Sequence, residues 1–307
     1  MLGRLAYLGW YKPVNGLRHS IRHGGPVNQW RTRKGEQAME ISAWSLPPLT
    51  APVDHGLVPV HFLTGRRFWY QTAFCISTLA RNVSSLPRVV FHDDGTLNAS
   101  QCEALTGLVP GSEVVRADEA ESRVHQYLPA DRFPILNAQW RDYVNLRKLI
   151  SPHLVGDRWK LVLDSDMLFF QRPDEMLDWQ RSPGTILLMR DVTTSYGYPL
   201  RTLDEMANGA VPRRLNVGIC GIRSGLIDWQ EVESWAASLI TKSGTSYYLE
   251  QALVALLAAR HGCQVLDDNH YQLQHLPGKT PAAGRRLTHF VDRAKADYFQ
   301  RAWRAFT

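Results

Sequence analysis

The sequence predicts an α/β fold with a mostly parallel central sheet flanked by helices. Three observations carry that prediction. Short β-rich apolar runs alternate with stretches of helical spacing, the pattern of strands joined by helical crossovers. The polar clusters fall just after those runs, at the carboxyl ends of strands, where open α/β sheets bind ligands. The chain has 307 residues, 44% of them hydrophobic and 21% charged, which is enough for one large domain or two small ones. That composition excludes a mini-protein, a collagen-like fibre and a low-complexity tail. No window approaches the roughly 18 uninterrupted apolar residues of a membrane span.

Residues 1–50 read as a basic N-terminal extension. The net charge is +6, and seven basic residues (Arg4, Lys12, Arg18, Arg22, Arg31, Arg33 and Lys34) lie in residues 1–34, which hold no acid; the rest of the chain is close to neutral. Interleaved with Leu5, Tyr7, Leu8, Trp10 and Tyr11, this arm suits an anionic membrane surface or nucleic acid by its charge alone. It is not a secretory signal, because Arg4 and Lys12 break its apolar stretch. A Pro-rich connector, Ser45 to Pro52, ends the extension. The cysteines, Cys75, Cys102, Cys220 and Cys263, have no paired spacing, which suits a reducing cytoplasm and argues against a zinc ribbon.

From residue 51 the elements follow in order. Val58 to Leu63 reads as a strand closed by Thr64-Gly65, and Phe68 to Leu79 as a helix. Arg88 to Phe91 and Ser112 to Arg116 read as strands. Gln139 to Ile150 reads as one helix ending before Pro152. Lys160 to Leu163 is a continuous apolar strand running into Asp164. Ile186 to Met189 and Val217 to Ile222 read as buried strands, and Ile227 to Ile240 and Tyr248 to Ala259 as helices.

The sharpest chemical feature is Asp164-Ser165-Asp166 at the end of its strand. Extended backbone repeats every two residues, so both carboxylates point the same way and are placed to share one hard cation. Two metal-dependent chemistries begin from such a pair: phosphoryl transfer with Asp164 as nucleophile and Asp166 as acid, and sugar transfer from a nucleotide diphosphosugar. His92-Asp93-Asp94-Gly95-Thr96-Leu97 imitates the signature of haloacid-dehalogenase phosphatases, but His92 stands where the nucleophile belongs, and Asp164-Ser-Asp166 lacks that family's Gly-Thr. Downstream, His289 followed six residues later by Lys295 offers an imidazole as a third ligand and an ammonium for a phosphate.

Strand-Asp164-Ser-Asp166, Asn216-Val-Gly218, Glu250-Gln251 and His289-x5-Lys295, in that order, resemble glycosyltransferase family 8, whose members read D-x-D, N-x-G, D-Q and H-x-x-G-x-x-K-P-W. The resemblance spans about residues 58–300. It implies a GT-A fold over residues 51–307 as a single catalytic domain. It further implies a metal-dependent hexosyltransferase that uses a nucleotide-diphosphate sugar, with a UDP-sugar favoured, and retains anomeric configuration. Asp164, Asp166 and His289 are implied as ligands of Mn²⁺ or Mg²⁺. Donor-binding roles are implied for Thr64, Gly65, Lys148, Asp164, Asn216, Gly218 and Lys295, with Arg147 the neighbouring alternative to Lys148. Asp191, Glu250 and Gln251 are implied at the sugar's reactive face.

Three departures stand out. Glu250 replaces the family Asp, Asp292 the family Gly, and Ala296-Asp297 the Pro-Trp. Asp292 adds a negative charge near a diphosphate. The expected acceptor is a glycan or lipid-linked precursor, with cytoplasmic placement, peripheral contact at the inner membrane face through the arm, and no nucleic acid. A phosphohydrolase and a non-catalytic nucleotide-sugar-binding scaffold are the alternatives.

Overall fold

The computed structural model describes residues 24–278 and 284–307. Most of the basic arm, residues 1–23, lies outside the described residues. The chain divides into two compact units: residues 46–273 with 282–289, and residues 1–45 with 274–281 and 290–307.

The larger unit is built on a seven-stranded sheet. Its strands are β1 (Val60–Thr64), β2 (Val89–Asp93), β3 (Glu113–Val115), β4 (Trp159–Leu163), β6 (Ile186–Arg190), β7 (Leu215–Arg223) and β8 (Cys263–Val265), and β5 (Met167–Phe169) leaves it for a second sheet. The order is β3-β2-β1-β4-β7-β6-β8. β1 pairs in parallel with β2 and β4, β2 with β3, and β6 with β8; only β7 runs antiparallel to its neighbours β4 and β6. The mostly parallel α/β sheet expected from the sequence is therefore present. Its central strands are buried along nearly their whole length, as strands covered on both faces must be.

The chain runs outward from β1 to β2 and β3, then returns to lay β4 on the other side of β1. The crevice at the carboxyl ends of β1 and β4 is thus the switch point of the sheet, where α/β folds open a ligand site. Thr64 ends β1, and Asp164 directly follows β4.

A three-stranded sheet of order β5-β10-β9 lies beside this point, with β9 at Tyr271–Gln274 and β10 at Leu287–Phe290. β5 and β10 are antiparallel, and the register sets His289 opposite Met167.

Most expected elements appear within a residue or two. Gln139–Ile150 does not form one helix: helices Pro134–Asp142 and Leu146–Ile150 are separated at Tyr143–Asn145. The first helix begins earlier because the Glu233 carboxylate accepts the backbone N–H groups of Ile135 and Leu136, both at 2.8 Å. This cap comes from a distant part of the chain, so no local signal announces it.

A buried layer of basic side chains lies against one face of the sheet. His61 Nδ1 and His92 Nε2 are 3.0 Å apart. His153 Nδ1 is 3.1 Å from Ser224 Oγ, and Lys160 Nζ donates to the carbonyls of Pro152 and Val155. Burial, aided by neighbouring cations, drives the His61 pKa well below the ordinary histidine value and those of His92 and His153 down to about 3.

In the smaller unit a helix spans Gly25–Ala43, with Gly35, Met39 and Ala43 buried. It packs on the short helix Lys295–Gln300. Gln300 Nε2 donates to Asn28 Oδ1 at 2.9 Å and Thr32 Oγ1 at 2.8 Å. A Cβ on Gly35 would overlap the Phe299 carbonyl oxygen, so close backbone approach requires glycine there.

Candidate functional site

The site is built where β4 ends. Asp164 N–H donates to the Gly218 carbonyl at 2.9 Å, which holds the start of the D-x-D segment against β7. Side chains then alternate. Ser165 turns into the protein, with its Oγ 2.7 Å from Thr72 Oγ1, and Asp164 and Asp166 turn the opposite way into partial solvent. The expected shared direction of the two carboxylates is met.

The β5–β10 pairing carries His289 to them. His289 Nε2 lies 3.0 Å from Asp166 Oδ1 and 3.5 Å from Asp164 Oδ2. Asp164, Asp166 and His289 are the one group of three among the described residues with ligand atoms all within 4.8 Å of one another. Two carboxylate oxygens and one imidazole nitrogen suit a hard or borderline divalent ion. The donor set therefore fits the implied metal.

Gly218 shapes this corner. A Cβ there would stand 2.5 Å from His289 Nδ1 and 2.9 Å from Asn216 Oδ1. The imidazole occupies the space that the missing side chain leaves, with Nδ1 toward Gly218 and Nε2 toward the carboxylates. Asn216 Oδ1 accepts from Gly218 N–H at 2.9 Å, and its Nδ2 donates to Asp191 Oδ2 at 3.3 Å. The N-x-G motif is thus part of the site's wall.

Lys148 is the electrostatic centre. Its ammonium is 2.7 Å from Asp164 Oδ1 and 3.4 Å from Glu250 Oε2. Burial by itself would lower the Lys148 pKa, but the two carboxylates outweigh it and hold the side chain charged. Glu250 is pushed up to about 7 by burial, with Asp164 adding to the rise and Lys148 opposing it. One cation is shared by two acids, so removing it would leave the buried Glu250 without its charge partner. Arg147 turns elsewhere: its Nη1 donates to the Asp94 carbonyl at 2.8 Å, and its guanidinium lies 4.5 Å from the Trp140 ring centroid.

Gln251 is buried and donates to the Ser195 carbonyl at 2.9 Å, tying its helix to the loop after Asp191. Asp191 accepts from Thr193 N–H at 3.3 Å, and its own carbonyl accepts from Arg214 Nε at 2.8 Å. Thr64 is buried and accepts from Thr72 Oγ1 at 2.8 Å. Gly65 gives room to the Asp94 carboxylate, which a Cβ would overlap. Lys295 belongs to the smaller unit, with its ammonium 5.5 Å and 5.8 Å from the ring centroids of Tyr298 and Phe299.

Two contributors carry no sequence signal. Thr72 and Ser165 form a hydroxyl bridge between the ends of β1 and β4. The phosphatase-like run is explained by backbone needs, since Asp93 Oδ1 accepts from the N–H groups of Gly95, Thr96 and Leu97 in a tight turn after β2. All four cysteines are free.

The sequence matches no protein-family model and no curated protein. Solved structures do match. The apo form of mouse xyloside xylosyltransferase 1 superposes on 76% of this chain and 96% of its own, with a TM-score of 0.51 at 11% identity. The fold is that of a GT-A glycosyltransferase. The apo structure of the bifunctional glycosyltransferase WbbM also matches (TM-score 0.47, 13% identity, 82% of this chain and 51% of that one). A further match is the galactosyltransferase LgtC in complex with donor and acceptor sugar analogs (TM-score 0.47, 10% identity, 81% and 96%). At these identities the likeness is one of fold.

Proposed function

We propose that the protein transfers a hexose from a nucleotide-diphosphate sugar, preferably a UDP-sugar, to a glycan or lipid-linked acceptor. The observation that carries this reading is the meeting of Asp164, Asp166 and His289 at the switch point of a GT-A sheet. These three residues would hold Mn²⁺ or Mg²⁺, which when bound offsets the negative charge of the diphosphate leaving group.

The chain's own groups have distinct tasks in this reading. Lys148 fixes the Asp164 carboxylate and offsets the acidity that Glu250 adds. Thr64 and Gly65 face the nucleotide, and Lys295 is the implied diphosphate partner. Asp191 and Asn216, joined by a hydrogen bond, and Gln251 offer polar groups to the sugar's hydroxyls. The acceptor oxygen forms a bond to the anomeric carbon as the bond to the diphosphate oxygen breaks, and the acceptor proton passes to the departing diphosphate. Same-face attack of this kind retains configuration and requires no side-chain nucleophile.

The test is thermal stabilisation of the purified protein by UDP, GDP, UDP-glucose, UDP-galactose and GDP-mannose, each with Mn²⁺ and with EDTA. A Mn²⁺-dependent rise for one nucleotide is expected. Asp166→Ala should remove that rise and sugar transfer while leaving the circular dichroism spectrum unchanged. No rise with any nucleotide, together with phosphate release from aryl phosphates, would sink the reading.

A further inference from the structure

The helix Gly25–Ala43 uses only one side for packing. Gly35, Met39 and Ala43 are its buried residues, and Asn28 and Thr32 on the same side meet Gln300. The opposite side is apolar and exposed. Val27, Trp30, Ile41 and the following Trp44 all show large surface, with Trp30 60% and Ile41 70% exposed. At about 100° of rotation per residue, these four positions fall within roughly 100° of the circumference. They form one stripe.

The charges on and nearest the stripe are mostly basic. Lys34 lies within it, and Arg31 and Arg33 border it on either side; all three are exposed. The helix's two acids, Glu36 and Glu40, are partly buried and lie off the stripe. The sequence that leads into the helix, residues 1–23, adds Arg4, Lys12, Arg18 and Arg22 and no acid.

We infer that this face lies on the surface of an anionic phospholipid bilayer. Exposed Trp and aliphatic side chains flanked by cations are the chemistry that settles at the boundary between headgroups and acyl chains, where indole is favoured. No described helix is long and apolar enough to cross a membrane, so the contact is one of lying on the surface. A second copy of this chain is a poorer occupant. Two-fold pairing of the stripe would bring Arg31, Arg33 and Lys34 toward the same three cations of the second copy, with Glu40 beside Arg33 the one nearby acid to answer them. A polyanion without acyl chains would leave Val27 and Ile41 unmatched. The surface is separate from the sugar-transfer reading and stands or falls without it.

The experiment is co-sedimentation of the full chain with vesicles of phosphatidylcholine alone and with about 30% phosphatidylglycerol, whose headgroups supply a negative surface potential. Wild type should partition to the anionic vesicles, and added salt should weaken it. Trp30→Ser with Ile41→Ser should lower the partition coefficient about tenfold and leave the salt dependence in place, since it removes apolar contact alone. Arg31→Gln with Lys34→Gln should lower it by about fivefold per charge and flatten the salt dependence. All four side chains are exposed, and thermal melts of each variant should match wild type. The inference is overturned if wild type ignores anionic vesicles or the Trp30/Ile41 variant binds as wild type does. It is equally overturned if sedimentation equilibrium shows a wild-type dimer that this variant dissolves with vesicle binding unchanged. Mn²⁺-dependent stabilisation by nucleotide, measured without lipid, should be the same in both variants; its loss in wild type would bear on the sugar-transfer reading alone.

Discussion

At the scale of single residues, Gly218 governs the candidate metal centre without touching an ion. Its missing side chain is the room in which the His289 ring sits. Gly218→Ala should turn or displace that ring and weaken Mn²⁺ binding about tenfold or more, the usual range for changes just behind a ligand. Titration of the Mn²⁺-dependent thermal shift measures this; unchanged Mn²⁺ affinity would show that the ring does not depend on the gap. Asp164, Asp166 and His289 were legible in the sequence because each sits in a motif with a fixed spacing. The Lys148–Glu250 pair was legible only as two separate positions. Their shared role needs the fold, since it depends on a short helix before β4 meeting another near residue 250. Thr72 and Ser165 have no motif at all, and only their 2.7 Å contact reveals them.

At the scale of elements, the strands were easy to read because burial on both faces makes them continuous apolar runs. The helices were harder wherever their ends depend on distant groups. Pro134–Asp142 is capped by Glu233, nearly a hundred residues away, and the break after it accompanies Tyr143 turning its hydroxyl to the Tyr247 carbonyl. Gly25–Ala43 is not among the expected elements for a different reason. It carries apolar residues on two opposed sides, so no single stripe stands out, and its N-cap, Gly24, offers no side chain. Its seam with Lys295–Gln300 gives a test. Gly35→Ala raises helix propensity by up to about 1 kcal/mol, but its methyl group would collide with the Phe299 carbonyl. Overlap with backbone should win, giving a net loss of about 1–2 kcal/mol and a lower melting temperature. A variant as stable as wild type would mean that the two helices separate freely.

At the scale of the whole molecule, the buried layer of His61, His92 and His153 links stability to pH. Their folded pKa values lie below the unfolded value near 6.5, so between the two the unfolded chain binds more protons. Stability is then complete above about pH 6.5 and falls as the solution is acidified toward pH 3. Each imidazole should contribute a loss of about 1 kcal/mol between pH 7 and 5.5. Urea midpoints across that range should fall accordingly, and His92→Gln should shallow the slope. A flat profile would mean that these rings take up protons without unfolding. Nothing in the linear sequence marks this layer, because its members come from β1, β2 and the turn at His153 and meet only on one side of the sheet.

The β5–β10 pairing has a consequence for how the protein comes into being. Asp164 and Asp166 are made well before His289, which joins them only when β10 docks antiparallel on β5. A ribosome that has produced the first six strands of the large sheet has therefore made two of three candidate ligands and has yet to make the third. Chains released early would carry an almost complete sheet and an incomplete ion cage. Ion binding through all three donors would thus report that synthesis has passed residue 289, and an ion held there would fasten a late strand onto an early one.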